Sequence, residues 1–135
     1  MDKKLQDSLS KIKLLICDID GVLTDGSFIK STSGDELRSF NALDGVGFVM
    51  LRLLNLNINT AWITGRESLT TTQRAEELQI DDVYNGVIRK IDAYDELKKK
   101  YGVLDNEVCF IGDDIIDIPI LEKVGFAVTV PNAPK

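Results

Sequence analysis

Apolar positions along this chain fall into two kinds of block that alternate. Leu14-Leu15-Ile16-Cys17, Ala61-Trp62-Ile63 and Val108-Cys109-Phe110-Ile111 are nearly continuous apolar runs. Such runs predict strands covered on both faces, as in a parallel sheet. Between them, apolar residues recur at helical spacing. Leu5, Leu9 and Ile12 predict a short amphipathic helix or a loose lead-in over residues 2–12. Val46, Val49, Met50, Leu53 and Leu54 predict a helix from Val46 to Leu54 with those residues on its inner face, ended by Asn55 and Asn57. Ser68 or Thr70 caps a helix running to about Leu78. Ile91, Tyr94 and Leu97 mark the inner face of a helix from Lys90 to Tyr101, stopped by Gly102. A last helix is expected over Asp117 to Val124, broken by Gly125.

The strands are then Leu14 to about Asp18, Asn59 to Thr64, Asp82 to Tyr84, Val108 to Gly112 and Phe126 to Val130. Residues 26–41 break the alternation. Phe28-Ile29-Lys30 and Glu36 to Phe40 flank a turn at Gly34, which predicts a short polar hairpin. An isolated hairpin is marginal in water, so it is expected to pack on the domain or on another subunit. Strands alternating with helices predict a Rossmann-like α/β fold, a doubly wound and mostly parallel sheet with right-handed crossovers. Residues 1–135 read as one domain with the hairpin as its only insertion and no segment long enough for a cap.

In open α/β sheets, ligands bind outside the carboxyl ends of the strands. The residues expected there are all polar. The first strand delivers Asp18 and Asp20, with Gly21 behind them to turn the chain. Residues i and i+2 of a strand point the same way, so the two acids share one spot. Like charges so close need a cation or a shared proton. The Trp62 strand ends in Thr64-Gly65-Arg66, the Phe110 strand in Gly112-Asp113-Asp114 with Asp117 just beyond, and Lys90 follows the Tyr84 strand. Carboxylates without nitrogen or sulfur partners make a hard oxygen site suited to Mg²⁺. Thr64, next to a helix N-terminus, can hold a phosphate, and Lys90 can neutralise a phosphate and a carboxylate together. An aspartate that forms a phosphoaspartate is known chemistry.

Composition narrows the chemistry further. The 135 residues are 44% apolar and 28% charged, ordinary for a globular domain. A net charge of −6 disfavours nucleic acid and anionic membrane as partners. No apolar run approaches a membrane span, and Met1 to Leu5 begins no signal peptide, so a cytoplasmic protein is expected. Cys17 and Cys109 lie inside apolar runs and read as reduced core thiols. The chain has no histidine, which excludes His-based zinc sites and Ser–His triads.

Asp18-Ile19-Asp20-Gly21-Val22-Leu23-Thr24-Asp25, Thr64-Gly65-Arg66, Lys90 and Gly112-Asp113-Asp114-Ile115-Ile116-Asp117 resemble, in order, the four motifs of the haloacid dehalogenase (HAD) phosphatases. The resemblance covers nearly the whole chain. It implies Asp18 as nucleophile and Asp20 as general acid, then base. It implies Mg²⁺ bound by Asp18, the Asp20 carbonyl and Asp113. It implies phosphate and substrate held by Thr64, Gly65, Arg66 and Lys90. Asp114 and Asp117 then support the ligating groups from behind or cap a helix. Within the superfamily the sequence is most similar to capless phosphatases of 3-deoxy-D-manno-octulosonate 8-phosphate (KDO 8-phosphate). The carriers are residues 20–26, Ser39-Phe40-Asn41, Asp44-Gly45, Ile63 to Arg66 and Gly112 to Gly125. This implies a role in lipopolysaccharide biosynthesis. Relatives acting on nine-carbon sugar acids often carry Glu after Thr-Gly, so Arg66 favours the eight-carbon substrate.

With no cap, the site needs another cover, and the resemblance implies a homotetramer in which a neighbour supplies it, assembled through the hairpin. Longer relatives add a Gly-rich tail beyond the position of Lys135 that reaches a neighbour's site; looser closure is expected without it. Rival readings exist at each point. Asp18 and Asp20 alone fit a solvated strand end or a calcium loop, and Arg66 alone fits an ion pair with Asp44 or Glu67. A receiver domain also combines acids, Thr and Lys on a parallel sheet, but its lysine comes last, whereas Lys90 precedes Asp113. A non-catalytic assembly domain would keep the fold without turnover.

Overall fold

The computed structural model describes residues 2–134. Its centre is a five-stranded sheet in the order β5-β4-β1-β6-β7, every pair parallel. The strands are β1 (Leu14–Cys17), β4 (Asn59–Thr64), β5 (Asp82–Asn85), β6 (Val108–Ile111) and β7 (Phe126–Val128). The chain winds outward from β1 to β4 and β5, then returns to β6 on the other side of β1. That reversal opens a crevice beside the carboxyl end of β1, where such folds bind ligands.

Side-chain alternation along the strands sorts the core into two layers. Leu14 and Ile16, with Ala61, Ile63 and Phe110, pack against Ala93, Tyr94 and Leu97 of α4 (Lys90–Tyr101) and Ile120 of α5 (Ile118–Leu121). Cys17 and Trp62 face the other way, onto Phe48 of α2 (Ala42–Leu53) and Ala75 and Leu78 of α3 (Leu69–Leu78). Phe48 meets Trp62 edge-on with ring centroids 5.7 Å apart. Truncating such a buried aromatic costs about 3–5 kcal/mol. The amino-terminal helix α1 (Lys3–Leu9) is capped by the Asp2 carboxylate, which accepts from the Lys4 N–H, and buries none of its residues.

Several sequence-based expectations are corrected. Helix α2 starts at Ala42, not Val46, because the Asn41 side chain accepts the Leu43 N–H and caps it. Its inner face is also different. Gly45 and Phe48 are buried and Leu51 packs on the same cluster, whereas Val46, Met50, Leu53 and Leu54 are exposed. Gly45 lets α2 approach α3 closely: a Cβ there would stand 3.1 Å from Leu78 Cδ2. The apolar stripe chosen from spacing is therefore a second one, on the outer side. Ser68 precedes α3, but its hydroxyl pairs with Thr70 Oγ1 at 2.8 Å and caps no backbone N–H. The helix expected over 117–124 is a 3-10 turn (Ile115–Asp117) followed by the short α5. Strand β7 ends at Val128 rather than Val130.

Residues 26–41 contain two paired two-residue strands, β2 (Ile29–Lys30) and β3 (Glu36–Leu37), antiparallel. They lie outside the main sheet, and Ile29 and Leu37 are exposed. Among the described residues, no helix is long and apolar enough to cross a membrane.

Candidate active site

Strand β1 ends at Cys17, and Asp18 continues its ladder by donating its N–H to the Ile111 carbonyl at 2.9 Å. The chain then folds over itself. Ile19 O accepts the N–H groups of Val22, Leu23 and Thr24, and Thr24 Oγ1 accepts those of Gly21 and Gly26. Gly21 has φ +91, and a Cβ there would lie 2.0 Å from Asp113 Oδ2. Only glycine fits, on both counts. The turn thus brings the first acidic motif against the acid that follows β6. The Cys17↔Ile111 register sets the two strand ends side by side.

Asp18 is buried, and its Oδ1 lies 2.7 Å from Lys90 Nζ. The same ammonium lies 2.7 Å from Asp117 Oδ1. Lys90 is 2% exposed and is the first residue of α4, where the helix dipole disfavours a cation. Burial and dipole both oppose it, so the two carboxylates must hold it. Asp117 is itself fully used: its Oδ2 accepts the N–H groups of Asp113 and Asp114 at 3.1 and 3.2 Å. Gly112 makes room for this, since a Cβ there would stand 2.7 Å from Asp117 Oδ2.

Asp18, Asp113 and Asp117 offer oxygens within 4.8 Å of one another, with Asp18 and Asp117 buried. Burial pushes the Asp18 carboxyl up to about 7, against the opposing pull of Lys90. Burial also raises Asp113, with the nearby Asp117 and Asp114 charges adding to it. Among the described residues, Asp113 Oδ1 is buried without a partner. An orphaned, buried carboxylate oxygen beside a second buried carboxylate fits a hard divalent cation. Asp117, with both oxygens engaged, is placed as the support for Lys90 and the Asp113 backbone instead.

Thr64 is buried at the end of β4. Its hydroxyl lies 3.4 Å from Asp20 Oδ2 and accepts the Arg66 N–H at 3.3 Å. Gly65 follows, bordered by the Ile88 and Ile116 side chains. Asp18, Asp20, Thr64, Lys90, Asp113 and Asp117 therefore converge. Asp114 does not: it is exposed, and its side chain accepts the Ile115 N–H at 2.6 Å. Arg66 pairs with neither Asp44 nor Glu67. Its guanidinium grips Glu36 of the hairpin, with Nη2–Oε2 2.7 Å and Nε–Oε1 3.3 Å, and stacks 3.6 Å from the centre of the Phe28 ring. This fork holds Glu36 down at about 2.

Three residues at this edge escaped the sequence reading: Glu36, Arg38 and Phe28, all from the hairpin. The available signal was Glu36 and Arg38 at i and i+2 in the return arm, which puts both on one side.

Residues 64–135 match the haloacid dehalogenase-like hydrolase family. The chain is 41% identical over 122 residues to the 3-deoxy-D-manno-octulosonate 8-phosphate phosphatase KdsC of Salmonella typhi, covering 90% of this chain and 64% of that protein. The chain thus spans less than two thirds of that curated relative's length. A solved structure of the Yersinia pestis 3-deoxy-D-manno-octulosonate 8-phosphate phosphatase superposes with TM-score 0.93 at 38% identity, covering 98% of this chain and 71% of that one. The Moraxella catarrhalis phosphatase of the same name, solved with magnesium, phosphate and KDO, gives 0.92 at 36% identity, covering 100% and 76%.

Proposed function

The chain belongs to the haloacid dehalogenase-like hydrolase family, and on that premise we propose that it is a Mg²⁺-dependent phosphatase of a small phosphorylated sugar acid, KDO 8-phosphate first among them. The observation that carries this reading is Lys90 Nζ, shared at 2.7 Å between Asp18 and Asp117, beside the orphaned Asp113 Oδ1. A buried cation, a buried acid and an unpartnered carboxylate oxygen at one strand edge have a cost that phosphoryl transfer explains. The KdsC relatives and the KDO in the Moraxella structure support the substrate. So does Arg66, a partly exposed guanidinium whose fork, here on Glu36, is suited to a carboxylate.

In this reading, residues 1–135 form one capless phosphatase domain. Asp18, Asp113 and the Asp20 carbonyl hold Mg²⁺, which supplies charge neutralisation on the phosphoryl oxygens. Lys90 holds Asp18 in place and pairs with the incoming phosphoryl group, and Thr64 donates its hydroxyl to that group. Gly65 leaves room for it, and Arg66 binds the sugar acid. The Asp18 carboxylate attacks phosphorus. The P–O bond to the sugar breaks, and Asp20 gives its proton to the departing oxygen. Asp20 then takes a proton from water, whose oxygen attacks the phosphoaspartate. The P–O bond to Asp18 breaks, releasing inorganic phosphate and restoring the carboxylate.

The site leaves Asp20 partly exposed, and the hairpin and the outer stripe of α2 leave Ile29, Leu37, Val46 and Leu53 exposed. A homotetramer in which a neighbour covers the site accounts for both. Phosphate release with Mg²⁺ or EDTA, across eight- and nine-carbon sugar-acid phosphates and simple sugar phosphates, tests the whole reading. Turnover that needs Mg²⁺, favours KDO 8-phosphate and is abolished by Asp18→Asn is expected. Preference for a nine-carbon acid overturns the substrate. An inactive, folded wild-type protein overturns the enzyme and favours an assembly domain.

A further inference from the structure

Arg38 is the most deeply placed charge of the hairpin, with its side chain 0% exposed. It follows β3 on the return arm, so it shares a side with Glu36. Its guanidinium spans three partners. Nε lies 3.2 Å from Glu36 Oε1, Nη1 donates to Thr71 Oγ1 at 3.1 Å, and Nη1 also stands 3.1 Å from Asp20 Oδ1. Nη2 is buried with no partner among the described residues. A guanidinium removed from water and left partly unsatisfied is costly.

The contact with Asp20 has a particular form. One N–H of Nη1 goes to Thr71 and neither lines up on Asp20 Oδ1, which feels the charge but accepts no hydrogen bond among the described residues. On its other side, Asp20 Oδ2 meets the Thr64 hydroxyl at 3.4 Å. The carboxylate is thus held from two directions, by a charge and by a hydroxyl. Arg38 comes from the hairpin and Thr64 from β4, so the orientation of Asp20 depends on hairpin docking.

We propose that Arg38 is a positioning residue for Asp20, fixing its carboxylate for proton transfer to the leaving oxygen and from the attacking water. The inference rests on the role assigned to Asp20 above. It makes the hairpin part of the reaction machinery of its own subunit, apart from any role in assembly. Without Arg38 the acid and base steps slow, while the attack by Asp18 and the grip on phosphate persist.

A double-mutant cycle on the Mg²⁺-loaded protein tests this, with KDO 8-phosphate and p-nitrophenyl phosphate as substrates. Arg38→Met is expected to lower kcat on the sugar phosphate roughly 10–100-fold, a part of what a positioned acid–base group contributes, with KM changed less than about 2-fold. On p-nitrophenyl phosphate, whose leaving group needs no proton, it gives a burst of nitrophenolate followed by slow turnover, because only the water step still needs Asp20. Arg38→Lys recovers part of the kcat loss. Adding Arg38→Met to Asp20→Asn costs less than about 2-fold more, since the residue acts through Asp20. Circular dichroism of each variant checks the fold, and Arg38→Lys carries the test if Arg38→Met does not fold. Multiplicative losses in the double variant, or a rise in KM with kcat unchanged, overturn the proposal. An Asp20→Asn variant with wild-type turnover on both substrates overturns the Asp20 role itself and the inference with it. An impaired Asp20→Asn beside an unimpaired Arg38→Met overturns the inference alone.

Discussion

Lys90 Nζ stands 2.7 Å from Asp18 Oδ1, with 1% and 6% of the two side chains exposed. A pair this deep is not a surface contact of negligible worth. Removing the cation takes the shared counter-charge from two neighbouring buried carboxyls, Asp18 and Asp117. Lys90→Met is therefore expected to destabilise the fold by about 3–5 kcal/mol, the usual cost of breaking a buried pair. It should also cut turnover at least 10²-fold, as loss of one transition-state charge partner does. Urea unfolding and phosphate-release assays measure the two effects. Asp117→Asn should cost less stability than Lys90→Met, because the amide oxygen still accepts an N–H. A Lys90→Met protein of wild-type stability would contradict the assignment of this ammonium as the site's buried keystone charge.

Gly21 and Asp113 are in closer steric register than any other glycine and acid of the site. A methyl group at residue 21 would meet Asp113 Oδ2 at 2.0 Å and would sit at φ +91. Gly21→Ala should displace either the turn or the Asp113 carboxylate. Mg²⁺ affinity, read by calorimetry, is expected to fall at least 10-fold, and turnover with it. The melting temperature should drop by several degrees, since the strained φ costs on the order of 1 kcal/mol. Gly34→Ala, in the open turn of the hairpin with φ +94 and nothing within 4 Å, carries the strain without the clash. It is the control: similar loss of stability, Mg²⁺ affinity unchanged.

The parallel sheet and the acids at its edge were legible because buried strands write themselves as apolar runs. The residue that ends each run is then placed by topology alone. Asp18, Thr64 and Asp113 needed no tertiary knowledge for their positions. Lys90 was placed by the helix that it opens. What was hidden depended on packing between elements. Helix α2 carries two apolar stripes, and only the closeness that Gly45 permits decides that Phe48 faces in. The partner of Arg66 was hidden for a similar reason. Glu36 lies 30 residues away on strands of two residues each, too short to show a register in sequence. Arg38 belongs to the same blind spot.

The pH dependence follows from Asp18. Burial raises its carboxyl from an ordinary 3.8 to about 7, so the folded chain prefers it protonated. Such a group contributes stability below its unfolded value and loses it as pH rises through the folded one. Without metal, stability should therefore fall between about pH 4 and pH 7. Asp113, raised in the same sense, adds to the slope. Glu36 works oppositely, but at about 2 its effect is confined to more acidic solutions. Mg²⁺ held by Asp18 and Asp113, as proposed, would need both acids ionised, so its binding would release protons. The gain in melting temperature on adding Mg²⁺ is expected to grow from pH 5 to pH 7.5. Asp18→Asn should flatten both trends. A Mg²⁺ effect independent of pH would place the cation away from these carboxylates.

Arg66 is committed to Glu36 in this structure, through a two-point contact over the Phe28 ring. A substrate carboxylate must share or displace that partner to reach the guanidinium. Two substitutions then act in opposite directions. Arg66→Ala should raise KM for the sugar-acid phosphate about 10-fold or more, the worth of one charge-assisted contact. It should change kinetics on p-nitrophenyl phosphate little, since that substrate has no carboxylate. Glu36→Gln keeps the shape of the contact but frees the charge of Arg66, so KM for the sugar acid should fall or hold steady. Glu36 also touches Arg38 at 3.2 Å, so some loss of kcat in Glu36→Gln is expected as well. The split between KM and kcat across the two variants separates them. If Arg66→Ala raises KM equally on both substrates, Arg66 binds the phosphate and not the sugar acid's carboxylate.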